Sequence, residues 1–159
     1  MAQISLGLRN ALLGTDSVSN LLTGGAIYIF NGPIPASADE ALDMASTHTQ
    51  LAVIEPSGGI SFDTPTNGLL PKQASQTWEG TIAFDGAQSG ASSLAATFFR
   101  IAASGDNARG AGSSTSHRIQ GSAGGPNDGG EMDVGAATLV ANGTNTVTLT
   151  VGNIRMPSA

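Results

Sequence analysis

The chain contains no cysteine. That absence removes disulfide scaffolds, thiol catalysis and thiolate metal sites together. Charge is scarce too: Asp, Glu, Lys and Arg make up 11% of 159 residues, against about a quarter in ordinary domains. The basic residues stand singly, at Arg9, Lys72, Arg100, Arg109, Arg118 and Arg155, and the net charge is −6. Affinity for nucleic acid comes mainly from clustered Lys and Arg neutralising phosphates, so no DNA or RNA partner is expected. Aromatic residues are only 4%, which argues against a sugar-binding platform, since the few rings are needed inside. No apolar run approaches the roughly 18 residues of a membrane span, and no basic-then-apolar leader opens the sequence. The expectation is a protein made in a cytoplasm that crosses no membrane.

What is present is glycine, at 22 residues, with abundant Ala, Ser and Thr. Disordered chains are usually charged and poor in apolar residues; this one is neither, so strands with uncharged polar faces are expected. Apolar residues at Ile4, Leu8 and Leu12, with Leu13 beside them, mark one helical face. They predict a helical arm over residues 4–22, too short and glycine-broken to stand alone. Gly7 weakens it by about 1 kcal/mol relative to Ala. The arm must pack on its own domain or on a neighbour.

After Gly25 the period changes. "AIYIF", "HTQLAVIEP" (48–56), "QTWEGTIAFDG" (76–86), "SLAATFFRIAAS" (93–104), "HRIQGSA" (117–123) and the stretch 130–157 read as strands. Asn142-Gly143 between apolar runs predicts a hairpin. Turn-rich segments separate the strands and no β-α-β alternation appears, which argues for an all-β sandwich or barrel. The organisation expected is an N-terminal helical arm, 1–23, and a β-sandwich domain, 24–159.

The inventory of chemistry is thin. No G-x-S-x-G elbow occurs, and neither His48 nor His117 has a local base or orienting carboxylate, so no catalytic residue is expected. Two isolated histidines do not make a zinc site. The acidic loop with Asn127, Asp128, Glu131 and Asp133 is the best candidate for calcium, but it lacks EF-hand spacing and reads as a solvated loop. "GAGSST" (110–115) starts like a phosphate loop without its Lys, and reads as a flexible loop. Asn142-Gly143-Thr144 matches a glycosylation acceptor but reads as a turn. Phe98 and Phe99 face opposite ways in a strand; one fills the core and the other a sheet or subunit contact. No metal and no cofactor are expected.

The order of segments resembles a known group. "LRNALL", "GGAIYIFNGPIPASADEAL", "TQLAVI", "QTWEGT", "ATFFRI", "GSAG" and a closing "VTLTVGNIRMP" are similar to small virion structural proteins of tailed bacteriophages. The likeness runs from Leu8 to Pro157. The 104–116 loop is longer than in that group, and "FNG" replaces its threonine before the glycine. The resemblance implies a compact β-sandwich of jelly-roll type with a short N-terminal helical arm, with no chemistry to carry over. It implies a capsid decoration (cement) protein on the outer head surface, or else a neck, tail or connector component, made in the host bacterial cytoplasm. Its partners would be itself, as dimer or trimer, and the major capsid protein. The candidate interface is Ile4, Leu8 and Leu12 of the arm, crossing to a neighbour. Asn31, Pro33, Pro35, Asp39 and Glu40 join it from a loop read as a fastener, with Asp39-Glu40 capping or salt-bridging a neighbouring segment. A carbohydrate-binding sandwich and a hydrolase are the readings set against it.

Overall fold

A computed structural model describes residues 2–14, 16–66, 69–125, 129–136, 138–141, 146–149 and 153–155. In chain order the elements are β1 (Gln3–Ile4), α1 (Leu6–Leu12), α2 (Val18–Leu22), β2 (Ala26–Asn31), β3 (Thr49–Ile54), β4 (Leu69–Pro71), β5 (Trp78–Gly86), β6 (Ser93–Ala95), β7 (Phe98–Ala102), β8 (Arg118–Gly124), β9 (Met132–Asp133), β10 (Thr138–Val140), β11 (Thr146–Leu149) and β12 (Asn153–Arg155). The chain is mostly β, with 37% strand and 9% helix. One eight-stranded sheet dominates, in the order β1-β8-β7-β2-β3-β5-β11, with β9 beside β8. Its pairs are antiparallel apart from β8 with β9. Two further pairs, β6 with β10 and β4 with β12, stand outside it.

β2, β3, β5 and β8 appear within a residue or two of the strands predicted from period and turn chemistry, whereas 93–104 divides into β6 and β7, 130–157 divides into β9 to β12, and β1 and β4 were not predicted. The Asn142-Gly143 turn lies outside the described residues. The strands on either side of it pair elsewhere, β10 with β6 and β11 with β5.

The predicted helix over 4–22 is instead a short strand and two short helices. Ser5 ends β1 and caps α1, its Oγ accepting from Leu8 N, and Ser17 caps α2 by accepting from Asn20 N. Short hydroxyl side chains favour the cap over the helix interior, so the chain restarts at Ser17. This segment belongs to the same body as the rest. β1 pairs with β8, and Leu8 and Leu22 are fully buried in the main core. Ile4 and Leu12 are half-buried against the same core. As a correction to the expected interface, the Ile4–Leu8–Leu12 face is occupied by this chain's own core. Gly7 has a positive reason to be glycine: a Cβ there would lie 2.4 Å from the Ser116 carbonyl oxygen, so α1 packs backbone against backbone.

Alternation along each strand sorts the sheet into two faces. The registers place Ile27 beside Ile101 and Ile54, and Ile29 beside Phe99 and Ala52. Ile119 extends the row opposite Ile101. Trp78, Leu70, Leu139, Leu8 and Leu22 close over this apolar face. Trp78 meets Phe62 edge-on at 5.5 Å and donates its indole N–H to Gln76 Oε1 at 2.6 Å. The opposite face carries Tyr28, Phe30, Phe98, Arg100, Arg118 and Gln120. Segments 31–48 and 104–116 supply its partners, chiefly through their backbone.

Candidate functional site: an arginine-braced loop face

The polar face has two layers of contact. At one end Phe30 stacks on Phe98 at 4.9 Å, His48 meets Phe98 edge-on at 5.8 Å, and Leu42 completes a small second core. At the other end stand two arginines, both essentially inaccessible to solvent. Arg118 holds both oxygens of Asp106, at 2.7 and 2.8 Å, and donates to the carbonyls of Gly110 and Asn107, each at 2.8 Å. Among the described residues no carboxylate contacts Arg100 directly. It donates to Gln120 Oε1, to the Ala108 carbonyl at 2.7 Å and to the Glu40 carbonyl at 3.1 Å. Burial, followed by the nearby charge of Arg118, pulls the Arg100 guanidinium down to about 10; Asp106, Asp39 and Glu40 oppose that.

These contacts change the reading of two segments. The "GAGSST" region packs around a cation: carbonyls on both sides of Arg109 point at Arg118. A phosphate cradle presents N–H groups instead, so this geometry has the opposite polarity. Ser116 N donates to the Ser113 carbonyl, and Gly112 N donates to Asp39 O at 2.7 Å. Sequence reasoning took 104–116 as a free Gly/Ser loop because its organiser, Arg118, lies outside it.

The loop after β2 is a fastener within the chain. Asn31 Nδ2 donates to the Ala95 carbonyl at 2.9 Å. His48 Nε2 donates to the Pro33 carbonyl at 3.0 Å, and its Nδ1 lies 2.9 Å from the Thr47 hydroxyl. The buried Pro35 accepts through its carbonyl from Gln120 Nε2. Asp39 Oδ2 accepts from Leu6 N at 2.7 Å, capping α1 as its type and position suggested, while Glu40 Oε2 accepts from Ala36 N. Asp39 Oδ1 is buried with no hydrogen-bond partner, in the space that a side chain at Gly112 would fill. The five loop residues proposed as contacts for a neighbour thus serve their own fold first, leaving Pro33 and Glu40 exposed and Asn31 and Asp39 half-exposed.

His48 is buried. His117 is half-buried. Phe98 and Phe99 are both buried, one on each face of the sheet. Of the acidic loop, Asn127 and Asp128 lie outside the described residues. Glu131 Oε2 accepts from Ser122 N, and Asp133 Oδ1 accepts from Gly135 N. Among the described residues no group of three His, Asp or Glu is placed to hold a metal ion, and no helix is long and apolar enough to cross a membrane. One open depression is lined by Ser104, Asp106, Ser113, Thr115, Ser116 and His117; in it Asp106 is held by Arg118, and the Ser113 hydroxyl lies against those of Thr115 and Ser116. Compared with protein-family models, curated proteins and solved structures, the chain matches none.

Proposed function

We propose that this chain is a structural protein of a bacteriophage virion that works without catalysis, coating the outer head surface and reinforcing the shell. The observation that supports it is spatial. Of the seven segments carrying the phage resemblance, "GGAIYIFNGPIPASADEAL" and "ATFFRI" contain paired strands, and the loop that follows the first of them reaches the helix that carries "LRNALL". Asp39 holds the first N–H of α1, and Arg100 holds the Glu40 carbonyl. A likeness that includes residues bracing one another is a likeness of architecture, which is what a structural family shares.

The jelly-roll sandwich goes with this reading. In it the large sheet is one layer and the β6–β10 and β4–β12 pairs the other, an arrangement supported by Leu139 and Leu70 sharing the core and Leu94 packing against it. The acidic balance suits an outer position better than contact with packaged DNA, because like charges repel. Many weak contacts suffice on a shell, since linked sites gain effective concentration. The partners are further copies of the chain, as dimer or trimer, and the major capsid protein. Antibody or tag labelling of intact particles tests the location. Label over the whole head in many copies is expected. Label confined to the neck or tail would overturn decoration in favour of a connector or tail part.

A further inference from the structure

The face of α1 that sequence reasoning passed over is the one left open. Leu6, Arg9, Asn10 and Leu13 are all exposed, and their spacing of three, four and seven residues puts them on one side of the helix. Leu6 is 46% and Leu13 87% exposed, two of the four large apolar side chains left in solvent among the described residues. A third, Ile34, lines a depression that shares Gln3 and Ala36 with the one beside Arg9. Scattered apolar side chains on a surface need no explanation, but a gathered group does.

Arg9 sits in the middle, and its charge is unspent. Of the other described cations, Arg100 and Arg118 are buried in the loop face, and Arg109 pairs with Asp85. Lys72 donates to the carbonyls of Gln73 and Gln76. The Arg9 guanidinium has no ion pair or hydrogen bond among the described residues, although the chain carries a net −6. We infer that the Leu6–Arg9–Leu13 face, with Ile34 at its margin, docks a different protein that presents a carboxylate flanked by apolar side chains. A second copy fits this face poorly. A two-fold pairing of α1 helices sets Leu6 against Leu13 but brings the two Arg9 charges together near the axis, and like charges facing each other are costly. The inference rests on the virion reading, where the partner is the shell protein.

The test adds purified chain to particles assembled from a genome lacking its coding sequence, and measures bound copies against concentration. Wild type should bind, Arg9→Glu and Leu13→Ser should each bind about tenfold more weakly, and Arg9→Lys should recover part of the loss. Leu13 is exposed, so Trp78 fluorescence and circular dichroism should be unchanged in these variants. Wild type failing to bind would overturn the virion reading. Wild type binding with both variants unimpaired would overturn this inference alone. A fall in the solution mass of the free chain on either substitution would show a self-contact and overturn the assignment to a different protein.

Discussion

The two faces of the large sheet solve the same problem with different physics. On one, Ile27, Ile29, Phe99, Ile101 and Ile119 form a continuous apolar row, closed by helices and short strands. Its stabilisation scales with the area removed from water and needs no particular partner geometry. On the other, Arg100, Arg118 and Gln120 stand where apolar residues would be simpler. Burying them is costly unless every donor is met. Carbonyls from two loops, together with the Asp106 carboxylate and Gln120 Oε1, supply those partners, so the same bonds that hold the arginines hold the loops. The apolar face makes the body, and the polar face fixes what the body presents.

The largest effect should come from breaking the polar face. Arg118→Ala leaves the Asp106 carboxylate buried and alone, which should cost about 3–5 kcal/mol in denaturant unfolding followed by Trp78 fluorescence. A methylene lost from the apolar face, as in Ile101→Val, should cost only about 0.5–1.5 kcal/mol in the same assay. Between them lies Gly7→Ala. Helix propensity alone favours alanine by about 1 kcal/mol, but the added Cβ meets the Ser116 carbonyl, so a net loss of about 1–3 kcal/mol is expected. A gain in stability would show that α1 does not pack as described. Smaller still is Arg109→Ala. It removes the 2.6 Å pair with Asp85, whose side chain is 62% exposed, and should cost roughly 0.2–1 kcal/mol, less in high salt.

The smallest effect concerns protons. Burial, followed by Glu55, pushes the Tyr28 hydroxyl above its ordinary 10, with Arg109 opposing. The neutral phenol therefore contributes stability that is complete below the unfolded value and fades as pH rises through the folded one. Arg100, pulled down to about 10, has the opposite sign: its burial cost is relieved as it loses its proton. The two partly cancel in stability, so absorbance is the cleaner readout. Tyr28 is the single tyrosine, and its phenolate band should appear at higher pH in the folded protein than in urea.

The strands were legible because alternation and turn residues are local signals. Trp78, Gly80, Ile82 and Phe84 mark β5 by themselves, and "AIYIF" marks β2. The arm was half legible. Its apolar face was found; the break at Ser17 had a local signal, a capping hydroxyl, but the packing of Gly7 on Ser116 depends on a segment about a hundred residues away. The candidate site was least legible. Arg100 and Arg118 look like two of six scattered cations until the registers place Arg118 beside Ala102 and Arg100 beside Gln120, on one face. Of the two loops they organise, 104–116 reads as a free segment, since its composition is that of a linker, and the loop after β2 as a fastener. Asp39 was read as capping or salt-bridging a neighbouring segment, and it accepts from Leu6 N at the start of α1 in its own chain.

Backbone hydrogen exchange over residues 104–116 and 36–42 tests the central claim, that two buried arginines turn linker-like segments into a fixed surface. The amides of Gly110, Gly112, Ser116 and Leu42 are bonded in the fold. They should exchange slowly in the wild type and fast in Arg118→Ala, while the amides of β2 and β7 stay protected in both. Rapid exchange of these loop amides in the wild type, at the rate of a free Gly/Ser segment, would contradict the account.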